Sequence, residues 1–320
     1  MSSLAKAGIT AGLATASAAL LYDTRGPDPR KGKTVQLRDF SVPAQKNNTM
    51  SIVRSTDRVK AVTKAIELLG GITRFIKSGD RVVIKPNVAF ASPPMLGATT
   101  NPDIITQVIK LCYNAGAKSV TVIDNPINDP QSCFKISGIA KASLSSGAKI
   151  IYPTENQFAK TTLKNAELIR NWPIFFQPLK NADKLIGIAP VKDHHRSGAS
   201  MTMKNWYGLL GGRRNIFHQD INTIIAELAA MVKPTLVILD GAQAMISNGP
   251  TGGSISDLKT TNTLIASCDQ VAADSYGCSL LQMKIEQLGY LRKAQNAGTG
   301  TTDYNSLKPK FATLNGEQKG

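Results

Sequence analysis

Apolar and polar positions along this chain switch between two periods, and each switch marks an element. The run Arg81 to Pro86, RVVIKP, is short, apolar and β-branched, the pattern of a buried strand. Asn101-Pro102 then offers an N-cap followed by a residue whose φ already suits the first helical turn. Ile104, Ile105, Val108, Ile109 and Cys112 recur at helical spacing until Gly116. Ser119 to Asp124, SVTVID, reads as the next strand. Strand, helix and strand in so short a span predict a βαβ unit with parallel strands.

The pattern continues with a helix over Ser132 to Ser145 and strands at Lys149 to Tyr152 and Asp183 to Pro190, DKLIGIAP. An amphipathic helix runs from Gln219 to Val232 and is stopped by Lys233-Pro234. Thr235 to Asp240, TLVILD, and Thr263 to Cys268 follow as strands, and Asp269 to Leu281 as a helix. Alternation of this kind predicts an α/β fold with a mostly parallel, doubly wound sheet and helices on both faces. Residues 33–320 read as one such domain. Residues 1–32 read as an export-signal-like segment and linker. Ala5 to Leu21 carries no charge after Lys6 and ends in Ala18-Ala19-Leu20-Leu21, ahead of the Pro/Gly-rich Gly26 to Gly32. It is too short and too weakly apolar for a confident membrane span, but it suits the apolar region of an export signal, which points to the periplasm or cell envelope. A twin-arginine pair lying ahead of Met1 would account for the lack of positive charge before it. The alternative is a short helix on a cytoplasmic protein.

Charge narrows the partner classes. Lys and Arg number 38 against 22 Asp and Glu, a net +16 with no long like-charge run, which favours an anionic small molecule or an acidic protein partner. Aromatic residues make up 6% of the chain, and no zinc-finger, basic-zipper or RNA-recognition spacing occurs, so specific nucleic-acid binding is disfavoured. The four cysteines, Cys112, Cys133, Cys268 and Cys278, form no CxxC pair. No intrinsic iron-sulfur cluster is therefore expected, and the cofactor is left open.

In open parallel sheets ligands sit beyond the carboxyl ends of the strands. The residues placed there are Lys85-Pro86-Asn87, Asp124-Asn125-Pro126, Lys192 to His195, and Asp240-Gly241. Turn chemistry explains the Asn, Asp, Pro and Gly among them, but a lysine at a sheet mouth calls for an anion or a carboxylate. The densest constellation is Lys192-Asp193-His194-His195-Arg196 with Lys204-Asn205-Trp206-Tyr207 shortly after. All three histidines, His194, His195 and His218, fall in this part of the chain. That permits a metal site with His194 and Asp240 as ligands, or acid–base work by one histidine. Catalytic candidates are thus His194, Lys204 and Asp240, and ligand-binding candidates are Lys85, Asn87, Lys192, Asn205, Gly249 and Gly252. The last two belong to a glycine-rich loop, Asn248 to Gly253, which matches neither a P-loop nor a dinucleotide fingerprint.

Taken in order, VVIKPN at Val82 to Asn87, the TNP turn, GAKSVTVID at Gly116 to Asp124 and ADKLIGIAPVKDHH at Ala182 to His195 resemble the domain of unknown function 362 family. So do SMTMKNWYGLL at Ser200 to Leu210, VILDGAQAMISNGPTGG at Val237 to Gly253 and SCDQVAADSYGCSLL at Ser267 to Leu281. The resemblance implies one pocket shared by Lys85, Asn87, Lys192, His194, Lys204, Asn205, Asp240, Gly249, Pro250 and Asp274. It also implies twin-arginine export, which is frequent in the family. Ferredoxin-like cysteine clusters occur in some members, and this chain departs from those.

Overall fold

A computed structural model of the protein describes residues 34–43 and 49–314. The export-signal reading falls on residues 1–32 and so lies outside the described residues. The first half of the chain lays down β1 (Met50–Arg54), α1 (Arg58–Leu68), β2 (Arg81–Lys85), α2 (Pro102–Asn114), β3 (Ser119–Ile123), α3 (Pro130–Ile136), α4 (Ile139–Ser145) and β4 (Lys149–Ile151). A two-stranded excursion, β5 (Phe158–Thr161) and β6 (Trp172–Phe175), leads to β7 (Lys184–His194) and β8 (Gly198–Ser200). Then come α5 (Ile221–Met231), β9 (Leu236–Met245), β10 (Leu258–Thr260), β11 (Thr263–Ser267), α6 (Gln270–Leu280), α7 (Gly289–Asn296) and β12 (Lys310–Thr313).

The central sheet has ten strands and a main path of β12-β1-β11-β9-β7-β2-β3-β4. From β9 to β4 every pairing on this path is parallel. β11 instead runs antiparallel to both β9 and β1. The reason is connectivity: no helix intervenes between β9 and β11, so the chain returns by hairpin through β10 rather than by crossover.

Side chains alternate across the strands into two cores. In β9, Val237 and Leu239 face α5, α6 and α7, whereas Leu236 and Ile238 join the side covered by α1, α2, α3 and α4. β7 does the same, with Leu185 and Ala189 on one side and Ile186 and Ile188 on the other. The doubly wound expectation therefore holds, with helices on both faces. Helix starts follow the sequence: Asp57, Asn101, Asp129 and Asp269 each accept backbone N–H bonds at an N-cap.

Three expectations change. The helix over Ser132 to Ser145 is two helices, divided at Gly138, whose φ is 75°. β7 and β9 run on past Pro190 and Asp240 to His194 and Met245, because β8 and β10 fold back and pair with the extensions. Lys192 and His194 are thus inside a strand and not after it. β1 and α1 were not among the elements read from the sequence.

β7 carries one position that tolerates no side chain. A Cβ on Gly187 would lie 2.5 Å from Trp206 Cη2, so the indole packs directly on the strand backbone. Trp206 is fully buried, and its Nε1–H donates to Gln270 Oε1 at 2.6 Å. Gly187→Ala is expected to destabilise the protein by about 1–3 kcal/mol through this overpacking. Urea unfolding followed by tryptophan fluorescence reads the change, and an unaltered midpoint would contradict the packing described.

Candidate functional site

The parallel half of the sheet grows in two directions. From β2 the chain steps to β3 and β4, while from β7 it steps the other way to β9. The intervening helices α2 to α4 lie on one face and α5 on the other. β2 and β7 therefore flank a topological switch point, the place where open α/β sheets leave a crevice. A cavity of about 470 Å³ opens there. Lys85 from the end of β2, Asp124 just after β3, Lys192 and His194 from the extended part of β7, and Lys204 and Arg214 from the following segment all line it.

Lys85 is the structural cation of this wall. Its Nζ lies 2.6 Å from Asp124 Oδ1 and donates to the Pro86 carbonyl and to Asn205 Oδ1, each at 2.8 Å. Lys85 and Asp124 are 1% and 2% exposed, so both charges are desolvated and depend on each other. Burial pushes the Lys85 pKa down, and Asp124 opposes the shift. The other Asp124 oxygen accepts the Val88 N–H at 2.7 Å. Gly208 passes over this pair so closely that a Cβ there would collide with Asp124 Oδ1 and sit 2.7 Å from Lys85 Nζ. Arg214 closes the same corner, donating to the carbonyls of Tyr207 and Leu210 at 3.2 Å and of Asn125 and Pro126 at 2.8 Å.

Among the described residues, no such carboxylate pairs with Lys192 or Lys204. Lys192 is 1% exposed, and its Nζ donates to the Ala98 carbonyl at 2.6 Å and to Asn87 Oδ1 at 3.5 Å. Burial, reinforced by the Lys204 charge, lowers its pKa to about 7. Lys204 is partly buried, with its ammonium 5.2 Å from the centre of the Tyr207 ring. Burial and the Arg214 charge lower its pKa to about 8.

The three histidines do come together, though as a stack. His194 lies face to face with His195 at 5.1 Å and with His218 at 6.3 Å between ring centroids. His194, the last residue of β7, is buried, and His195, the first of the turn that follows, is exposed. His194 Nδ1 accepts the N–H groups of Arg196 and Ser197 at 3.1 and 3.2 Å, which places the ring proton on Nε2. Burial and the Lys204 charge lower its pKa to about 2, so the ring stays neutral at physiological pH. In this tautomer His194 offers the cavity an N–H donor. Its Nδ1 lone pair is taken up by those two backbone N–H groups. Among the described residues no group of three or more His, Cys, Asp or Glu side chains is placed to hold a metal ion.

Lys204 and Asn205 sit on the single helical turn Thr202–Asn205. Asp274 in α6 anchors that turn, accepting the N–H groups of Thr202 and Met203 at 2.8 and 3.1 Å and the Thr202 hydroxyl. Its burial raises the carboxyl pKa to about 7. Asp240 does not belong to the cavity. It pairs with Arg58 Nε at 3.1 Å in a smaller cleft of about 120 Å³, beside Thr99 and Gln243. Of the ten residues for which one pocket was implied, Lys85, Asn87, Lys192, His194, Lys204, Asn205 and Pro250 line the cavity, Asp240 lines the smaller cleft, and Gly249 and Asp274 line neither. Gly249 donates its N–H to Asp193 Oδ2 at 3.2 Å, and its neighbour Pro250 reaches the cavity. Gly252, with φ of 59°, packs towards Met245 instead. Asp124 and Tyr207 were noted by position but not chosen as site candidates, and Arg214 was missed. Asp124 had a signal, since it ends a strand beside Asn125-Pro126, whereas Arg214 follows a glycine pair with nothing local to mark it.

The depressed lysines set a pH dependence. Below pH about 7 both folded and unfolded chains hold the Lys192 proton, and the folded state bears the cost of burying it. Above that pH the folded state sheds the proton while the unfolded chain keeps it up to the ordinary value of 10.5, so stability rises across this window. Lys204 adds a rise of the same sign starting from about 8. Lys192→Met should flatten the increase in thermal midpoint between pH 7 and 10 relative to the unaltered protein. Parallel profiles would contradict an unpaired, buried Lys192.

Comparison with known proteins supplies the family. The model of the family described as Domain of unknown function (DUF362) matches residues 82–279, more than half of the chain. A thylakoid-associated protein of Synechocystis is 25% identical over 245 residues, which span 74% of each chain. Among solved structures, the lactate racemase apoprotein from Thermoanaerobacterium thermosaccharolyticum matches at 14% identity with a TM-score of 0.39, covering 77% of this chain and 58% of that one. A Thermotoga maritima protein matches at 12% identity and 0.39, covering 72% and 59%. The chain spans less than two thirds of either solved structure. Residues 82–279 hold Lys85, Lys192, His194, Lys204 and Asn205, so the matched region contains the cavity, and the chain belongs to the DUF362 family.

Proposed function

We propose that the cavity between β2 and β7 binds a small organic anion. One observation carries this reading: Lys192 and Lys204 line one cavity as amines that no carboxylate pairs among the described residues, while Asp124, the carboxylate lining it, is already held by Lys85. An anion would supply the missing partner, and the Nε2–H of His194 would add a neutral donor. The volume exceeds what an inorganic oxyanion fills, and Phe90, Pro126 and Ile127 give the organic part an apolar wall. Two amines that titrate near neutrality also equip the site for proton transfer, which is how an enzymatic role would use it.

A second reading, a non-catalytic envelope protein docking on an acidic redox partner such as a cytochrome, rests on the net charge of +16 and on a relative named for its association with thylakoids. Affinity governed by surface charge would fall steeply with salt, whereas an enclosed ligand would be less sensitive. Export and the division into residues 1–32 and 33–320 belong to the same proposal and rest on Ala5 to Leu21. Among the described residues no helix is long and apolar enough to cross a membrane.

Thermal shift with phosphate, sulfate and a panel of mono- and dicarboxylates tests the first reading. At least one anion should raise the midpoint, and Lys204→Met should weaken that anion by about tenfold or more, the worth of one charge-assisted hydrogen bond. Affinity should decline as pH rises through about 7 to 8, where the two lysines lose their protons. An unchanged response in Lys204→Met, or no anion that stabilises the protein, would remove the proposal.

A further inference from the structure

The two fully buried lysines of the cavity wall are matched to different protonation states. Lys85 Nζ has three acceptors, the Pro86 carbonyl, Asn205 Oδ1 and Asp124 Oδ1, one for each N–H of an ammonium. Lys192 Nζ has two, the Ala98 carbonyl at 2.6 Å and Asn87 Oδ1 at 3.5 Å, and on another side it meets the Phe90 ring at 5.3 Å. Two acceptors satisfy both N–H groups of a neutral amine and leave its lone pair over. An ammonium in the same place would have only the face of the Phe90 ring for its third N–H, a weaker partner than the carboxylate that Lys85 meets.

We propose that Lys192 is a nucleophile that forms an imine with the carbonyl carbon of an anionic aldehyde or oxo acid held in this cavity. This rests on the anion-binding reading and names the substrate class within it. The Lys192 lone pair adds to the carbonyl carbon, and the amine proton passes to the oxygen to give a carbinolamine. The hydroxyl then leaves as water, taking a proton from the Lys204 ammonium, and the carbon–nitrogen double bond forms as a protonated imine. One water is released, charge is conserved, and no oxidant or reductant is needed. Arg214 is engaged by four carbonyls and so serves as fixed positive charge, while Lys204 has protons to give. Burial and the neighbouring Lys204 charge hold Lys192 near neutrality, the arrangement that activates a lysine for such chemistry.

Imine trapping tests this on the full chain. The protein is incubated at pH 7.5 with pyruvate, 2-oxoglutarate or glyceraldehyde 3-phosphate, reduced with borohydride, and mapped by peptide mass spectrometry. At pH 7.5 a lysine at pKa about 7 holds on the order of several hundredfold more neutral amine than a surface lysine, so at least one probe should label Lys192 at least about tenfold above any surface lysine. The adduct should be absent from Lys192→Met and reduced in Lys204→Met. Labelling spread over surface lysines without enrichment at Lys192, or none, would overturn the proposal even if the variants failed to fold, because the mapping is done on the unaltered chain. The corresponding hydroxy acids, which lack the carbonyl, separate the two readings. If they stabilise the protein while no adduct forms, the imine falls and anion binding stands. If they do not bind and no adduct forms, both fall.

Discussion

The site depends on how the sheet copes with the parting of two neighbouring parallel strands. β2 and β7 are paired as far as Lys85 and Gly187, and beyond that point the carbonyls of Lys85 and Ile188 lose their ladder partners. The side-chain amide of Asn205 takes both, donating at 3.1 and 3.2 Å, while its oxygen accepts from Lys85 Nζ. Thr100 Oγ1 also donates to the Ile188 carbonyl at 2.9 Å, whereas the Lys85 carbonyl takes its bond from Asn205; a buried backbone carbonyl without a donor is expensive, so this side chain ties the turn Thr202–Asn205 to the end of β2. Lys204 is its neighbour in that turn and is delivered to the cavity as a consequence. Asp274 from beneath and Trp206, packed on Gly187, hold the turn against the sheet.

Around this fixed point the charges are unequal in kind. Lys85 and Asp124 form a closed pair that completes the wall and holds the loop after β2 through the Val88 N–H. Lys192 and Lys204 are left with carbonyl, amide and ring partners only. Burying amines without a counter-ion lowers stability, and a fold keeps such groups where a ligand recovers the cost. Burial first, and neighbouring positive charge second, lowers the pKa of Lys192, Lys204 and His194 alike.

Much of the fold was legible because its local signals agree with its tertiary roles. RVVIKP, SVTVID and TLVILD are apolar on both sides of the strand since helices cover both faces of the sheet, and Asn101-Pro102 starts its helix where the pattern places it. The strand ends failed as boundaries at Pro190 and Asp240. The extensions of β7 and β9 are paired by β8 and β10, and Lys192 and His194 are polar because they face a cavity, so periodicity could not mark them as strand. Lys85, Lys192, Lys204 and Asn205 were found by position at strand ends and by family resemblance. Asp240 satisfied the same criterion and went elsewhere, because its partner Arg58 stands in a helix far from it in sequence. The division of roles between Lys85 and Lys192 was likewise hidden, since it depends on how many acceptors surround each amine.

Among the described residues, Lys192 and Lys204 share one cavity with no carboxylate paired to either. Site-resolved NMR titration of lysine side chains labelled at Cε or Nζ, assigned with Lys192→Met and Lys204→Met, measures this directly. Two resonances should titrate at about 7 and about 8 in the free protein. Both should move upward when a bound anion supplies the missing charge. If every lysine titrated above about 10, as exposed lysines do, these amines would be paired or solvated and the account would fail.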